Sequence, residues 1–158
     1  MTKVRYSSTF DCSQEELFEF HSDVRALGKL GPPGQRFTLF SEPKRTEMAD
    51  IQEFEIGSGP ISFRWVAEVT MFDPPRLLED VQLSGPFRRW RHQHQIFAEG
   101  DGARLTDVIA FRYFPTPLGG LLEWLTIKPL LTGMFWYRHR KTRTLLRESQ
   151  EDPAKVSG

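Results

Sequence analysis

Three observations predict an α+β domain in which a curved antiparallel sheet of six to seven strands wraps a long C-terminal helix. The chain opens on one alternating segment followed by a short helical stretch. Residues 37–114 then hold an apolar period close to two, cut by short turns rich in Gly and Pro, and residues 118–149 change to helical spacing. Consecutive strands joined by short turns pair antiparallel. A length of 158 residues fits one domain, taken as 1–150, with a flexible polar tail over 151–158.

Val4, Tyr6, Ser8 and Phe10 alternate as the first strand. Ser13 is placed as a helix N-cap, with Glu16 completing a capping box and Cys12 and Leu17 forming a hydrophobic staple. A thiol beside a helix N-terminus is also favoured as thiolate, but the staple accounts for Cys12 without chemistry. Leu17, Phe18, His21, Val24 and Leu27 continue an apolar stripe to Gly28, and Gly31-Pro32-Pro33-Gly34 ends it, so two short helices follow the first strand. Strands are expected at 37–40, 50–56, 61–72, 76–84, 90–98 and 103–114. From Leu118 to Ser149, Leu121, Leu122, Leu125, Leu130, Leu131, Met134, Phe135, Leu145 and Leu146 recur at helical intervals, with Pro129 as a kink.

Side-chain parity says what faces the helix. The inward set is Phe63, Trp65, Ala67, Val69 and Met71 on one strand, Trp90, His92, His94 and Ile96 on another, and Leu105, Asp107, Ile109, Phe111 and Tyr113 on the last. A two-residue turn at Gly100-Asp101 pairs Glu99 with Gly102 and therefore His94 with Asp107. A five-residue loop at Gly85 to Arg89 pairs Ser84 with Trp90, hence Gln82 with His92 and Asp80 with His94. On strand 76–84 the opposite parity, Leu77, Val81 and Leu83, is the more apolar, so either Asp80 and Gln82 or Val81 and Leu83 face inward.

This row of Asp80, His94 and Asp107, with Gln82 and His92 beside it, admits four readings. It can be a buried hydrogen-bond network, a polar spot that orients a ligand, a metal site of His-x-His plus carboxylate, or an acid/base pair centred on His94. Tyr137 to Arg143 forms a basic run whose plain reading is a solvated helix face near a C-terminus, where cations suit the dipole; contact with a phosphate, a membrane surface or a partner is the alternative.

Composition narrows the function classes. Twenty-one basic and 21 acidic side chains cancel, so no net field draws nucleic-acid phosphates. A single Cys forms no internal disulfide, Asn is absent, residues 1–10 lack the apolar region of a signal peptide, and no apolar run approaches the ~18 residues of a membrane span. A cytoplasmic protein, monomeric or weakly dimeric, is expected. Gly-x-Gly-x-x-Gly, Gly-x-Ser-x-Gly, Walker, Cys-x-x-Cys and His-Glu-x-x-His patterns are all missing, and no cofactor or resident metal is expected. Thirteen Phe, four Trp and three Tyr exceed what a core of this size needs, so either the core is unusually rich in rings or the rings line a cavity, and parity places Phe63, Trp65, Trp90, Phe111 and Tyr113 on the inner face.

Trp65-Val66-Ala67, Phe72-Asp73-Pro74-Pro75-Arg76, Asp80-Val81-Gln82, Gly85-Pro86-Phe87, Trp90-Arg91-His92-Gln93-His94, Leu105-Thr106-Asp107 and Tyr137-Arg138-His139 together resemble a bacterial branch of the SRPBCC, or START-like, superfamily. Ser8-Thr9-Phe10 and Leu17-Phe18-Glu19-Phe20-His21 fit as well, so the resemblance spans nearly the whole chain. It implies a helix-grip (START-like, Bet v 1-like) fold with a deep hydrophobic cavity, as in polyketide cyclases, coenzyme Q-binding proteins and lipid carriers. The chain departs at Val69, where the pattern Trp-x-Ala-x-His would carry a histidine.

The expected function is binding of a small hydrophobic, lipid-like, aromatic or polyketide-like molecule between sheet and C-terminal helix. Phe63, Trp65, Trp90, Phe111, Tyr113 and Phe135 are the candidates for its apolar body, and Asp80, Gln82, His92, His94 and Asp107 for its polar end. The alternatives are a cyclase or dehydratase using His94 with Asp80 or Asp107, and an interaction module built on the Arg138 to Arg143 face.

Overall fold

The computed structural model describes residues 1–152 and joins seven strands into one antiparallel sheet: β1 (Thr2–Phe10), β2 (Gln35–Leu39), β3 (Ile51–Ser58), β4 (Ile61–Asp73), β5 (Leu77–Ser84), β6 (Arg89–Glu99) and β7 (Gly102–Arg112). Their spatial order is β1-β7-β6-β5-β4-β3-β2, a meander whose last strand returns to pair with the first. Helices α1 (Gln14–Ser22) and α2 (Val24–Lys29) separate β1 from β2, and α3 (Gly119–Leu125) and α4 (Ile127–Glu151) follow β7. This is the helix-grip arrangement: a sheet on one side, a long terminal helix on the other.

Local chemistry accounts for the boundaries. Ser13 Oγ accepts from the Glu16 backbone N–H at 3.0 Å, and Cys12 and Leu17 sit together in one buried cluster, so cap and staple both form. Asp23 ends α1 and caps α2, its carboxylate accepting from Arg25 N–H. Gly100 takes a φ of +56° in the tight turn between β6 and β7, a conformation glycine adopts without strain. The long helix expected from Leu118 is two helices, and the break falls at Thr126 rather than at Pro129. Pro129 lies in the first turn of α4, where its missing N–H leaves no bond unmade, so it need not kink anything. The α4 helix also runs through Glu151, the first residue of the expected tail; residues 153–158 lie outside the described residues.

Two departures from simple alternation matter for the site. Met71, expected inward, is 43% exposed. A bulge between Val69 and Met71 places one extra residue in β4 and flips the parity, so Phe72 packs on the core instead. The β6–β7 register is as the turn arithmetic requires, with His94 opposite Asp107, but β5–β6 is displaced by two residues, with Asp80 opposite His92 and Leu78 opposite His94. The cause is Gln82. Its side chain donates to Phe87 O at 2.6 Å and accepts from Phe87 N–H at 3.3 Å, folding the Gly85-Pro86-Phe87 turn back on the strand and ending the ladder at Val81 and Arg91. A displacement of two preserves parity, and Leu78 and Asp80 face the helix side while Leu83 is exposed.

Two buried clusters hold sheet and helices together. Phe10, Leu17, Phe18, Val69, Leu78, Ile96, Leu105 and Leu146 form one; Val4, Trp90, Ile109, Phe111, Leu131 and Phe135 form the other. Helix α4 rests on β1, α1 on β6 and β7, and α2 on β2 at the far edge of the sheet. Among the described residues, no helix is long and apolar enough to cross a membrane.

Candidate functional site

Where sheet and helices diverge, a cavity of about 390 Å³ opens. Trp65, Ala67, Val69 and Trp90 line it from the sheet, Phe87 from the β5–β6 turn, Tyr113 from the segment that follows β7, and Ile127, Leu131 and Met134 from α4. The rings pack on one another: Phe87 lies 4.7 Å from Trp90 and 5.8 Å from Trp65, and Trp65 meets Trp90 edge-to-face at 5.2 Å.

Polar side chains gather on one wall: His21, His92 and His94 line the cavity there, and His139 joins them from behind through Asp107. Asp107 is the hub. Its Oδ1 accepts from His92 Nε2 at 2.8 Å and its Oδ2 from His139 Nε2 at 2.6 Å. Because a carboxylate only accepts, both imidazoles must carry their proton on Nε2; His139 Nδ1 is then the acceptor for the Ser8 hydroxyl, 2.8 Å away. His94 Nδ1 comes within 2.6 Å of Asp107 Oδ1 but is poorly aimed, and is buried without a hydrogen-bond partner. The His21 ring lies 5.0 Å from that of His94 and donates its Nδ1–H to Leu17 O. Asp80 faces His92 Nδ1 at 3.6 Å, beyond hydrogen-bond length.

Burial dominates the charge states. It works against the Asp107 carboxylate, yet the neighbouring His94 and the bonds from His139 and His92 hold that group well below the usual carboxylate range. Burial pushes His21 down to about 3, helped by His94, and lowers His92 and His94, so these three imidazoles are neutral at pH 7. The Asp80 carboxyl is pushed up to about 6 by burial, opposed by His94 and Arg138. Arg138, half-buried on α4, reaches the cavity; burial lowers its pKa while Asp107 and Asp80 oppose the shift.

Residues 11–135 match the family described as polyketide cyclase / dehydrase and lipid transport. The chain belongs to that family. A search of curated proteins finds no significant match. Among solved structures, the chain is similar to a Rhodobacter sphaeroides protein (14% identity, 93% of each chain covered, TM-score 0.73) and to a Thermus thermophilus protein (17% identity, 92% of this chain and 98% of that one, TM-score 0.70). It is also similar to a START superfamily protein from Mycobacterium smegmatis at 13% identity, with 94% of this chain and 99% of that one covered and a TM-score of 0.69. At such identities the shared feature is the START-like fold, which is the one that the resemblance implied.

Within this polyketide cyclase-like frame, the residues singled out by parity divide. Phe63, Trp65, Asp80, Trp90, His92, His94 and Tyr113 line the cavity, although Phe63 is 46% exposed at its edge. Four do not. Phe111 and Phe135 are fully buried between β7 and α4, Gln82 is occupied by the Phe87 backbone, and Asp107 stands behind the histidines that it orients. Val69, at the position where the family pattern suggested a histidine, lines the cavity as a buried aliphatic side chain.

Parity on the strands missed His21, Arg138 and His139. The signal for His139 was present: Leu131, Phe135, His139, Thr142 and Leu146 are buried at spacings of three and four, the inner stripe of α4. The basic run is therefore not one solvated face, since Arg138 and His139 turn inward while Arg140 stacks over Trp136 outside. Among the described residues, Asp80, His92 and His94 place one donor atom each within 4.8 Å of one another, which makes them the group able to hold a metal ion.

Proposed function

We infer that the protein binds a small hydrophobic molecule in the cavity between sheet and α4, with the apolar body against Trp65, Phe87, Trp90 and Met134 and a polar end towards Asp80, His92 and His94. The observation that carries this reading is the cavity itself: about 390 Å³ lies within the range of small-molecule sites, and its mostly apolar lining converges on one polar wall. The family description, which includes lipid transport, agrees with such a ligand class. Native mass spectrometry of protein purified from its own host tests it, with a co-purifying hydrophobic compound as the expected result. Ala67→Trp, which fills the cavity from its sheet wall, should abolish that adduct; retention of the adduct by the variant would place the compound elsewhere and refute the reading.

A second reading, a cyclase or dehydratase, is favoured by one observation. Asp80, titrating at about 6 beside neutral imidazoles, suits acid/base chemistry near neutral pH. If Asp80→Asn keeps affinity for the bound compound yet stops its turnover, the enzymatic reading holds; a compound that is bound and never converted leaves the carrier.

A further inference from the structure

A buried hydrogen-bond network would satisfy its members, and this cluster leaves three polar groups unmatched at one point. No hydrogen bond within the described residues reaches the Asp80 carboxylate or His92 Nδ1, and His94 Nδ1 is buried without one. All three residues line the cavity. Acceptors left facing one another on a mostly apolar cavity wall are costly unless a further group is shared between them. The His92 Nδ1 lone pair and the Asp80 carboxylate oxygen, 3.6 Å apart, repel one another and call for a cation or a donor between them, and His94 offers a further imidazole beside them.

The geometry points to a divalent transition-metal site on the cavity wall, with Asp80, His92 and His94 as its ligands and the remaining coordination positions open to the cavity. His92 and His94 lie two apart on β6 and so share a face, and Asp80 is the register partner of His92 on β5. The His92 Nδ1 to Asp80 Oδ2 separation of 3.6 Å is close to the ~3.4 Å between two ligands that bind one tetrahedral ion at ~2.1 Å. The widest donor separation, within 4.8 Å, must close by up to about 1.4 Å, which rotation of the side chains about their χ angles supplies. Asp107 completes the arrangement as the outer carboxylate, because the bond from His92 Nε2 fixes that tautomer and leaves Nδ1 as the ligand atom. Charge agrees as well: the carboxylates of Asp80 and Asp107 outnumber the one guanidinium, Arg138, that faces them. Two imidazoles and one carboxylate suit Zn²⁺, Co²⁺ or Fe²⁺ rather than Ca²⁺ or Mg²⁺. A metal there would offer a ligand's carbonyl or carboxylate oxygen a coordination position, beyond the hydrophobic binding inferred above.

The test uses the full chain, stripped with chelator and titrated with Co²⁺ alone and then Zn²⁺ alone, without any organic ligand. Saturable 1:1 binding with Kd below about 10 μM and visible Co²⁺ absorption of a nitrogen- and oxygen-bound ion are expected. His92→Gln and Asp80→Asn, both close in shape to the native side chains, should each weaken binding at least ~100-fold, and Asp107→Asn, which acts through the histidines, about 10- to 100-fold. Circular dichroism establishes that each variant is folded. No saturation by about 100 μM metal, or binding that both Asp80→Asn and His92→Gln leave within about threefold, overturns the site. Ligand capture in the host-purified protein is read separately, so a failed metal titration leaves the carrier reading standing and a failed capture leaves the metal site standing.

Discussion

Replacing Asp107 by Asn tests whether the histidine cluster depends on a buried anion. The carboxylate receives two hydrogen bonds, from His92 at 2.8 Å and His139 at 2.6 Å, and the short contact of His94, at a position only 2% exposed. Asparagine keeps one acceptor oxygen for His92, and its amide can donate to His139 Nε2 if that ring moves its proton to Nδ1. Both bonds then survive as neutral ones. A charged hydrogen bond contributes about 1.5–3 kcal/mol against about 0.5–1.5 for a neutral one, so losing the charge from two bonds costs about 2–3 kcal/mol, with Arg138 left short of a counter-charge. Asp107→Ala removes the acceptor altogether and should cost about 3–5 kcal/mol, since it strands two buried imidazole donors at about 1–3 kcal/mol each. The assay is urea unfolding of chelator-treated protein at pH 7, followed by tryptophan fluorescence. The pH dependence has a definite sign. A carboxyl held well below its ordinary value of ~3.9 contributes stability that is complete above that value and is lost as pH falls through the lower, folded value. The aspartate's advantage over asparagine should therefore be full at pH 7 and shrink below about pH 4. An Asp107→Asn protein within about 0.5 kcal/mol of the native one at pH 7 would refute the charged-hub account.

Two further predictions concern residues away from the cavity. Burial, with the nearby charges of Glu16 and Asp11, pushes the Cys12 thiol up to about 11; at pH 8 iodoacetamide should alkylate the folded protein about two orders of magnitude more slowly than the urea-unfolded chain, and comparable rates would show that the thiol is not held in the core. Glu123 on α3 is fully buried and accepts from Thr2 Oγ1 and from the backbone N–H groups of Tyr113 and Phe114, tying α3 to β1 and to the chain leaving β7. Glu123→Ala should cost about 3 kcal/mol in chemical unfolding, since it strands two backbone donors, while Glu123→Gln, which keeps an acceptor oxygen, should recover more than half of it; equal losses in both would mean that the tie depends on charge and not on the bonds.

Much of this protein was legible in the linear sequence wherever the information is local. Capping at Ser13 depends on residues within one helical turn, and the β6–β7 register depends on a two-residue turn, so arithmetic on the chain placed His94 opposite Asp107. Alternation placed Trp90, His92 and His94 on one face because a strand has no freedom to do otherwise. The same arithmetic failed by two residues between β5 and β6, since that register is set by a side chain, Gln82, grasping the turn. It failed at Met71 because a bulge is an insertion that alternation does not record.

The sequence by itself determined the succession of strands, the inward faces of β6 and β7 and the presence of a polar row among inward-facing rings. Only the tertiary structure decided the composition of the site. His21 and His139 are 118 positions apart in sequence, one on a helix between the first two strands and the other on the helix after the last, and no periodicity relates them. They meet at Asp107 and His94 because α1 and α4 dock on the same concave face, and docking depends on packing between surfaces, which a one-dimensional pattern does not encode.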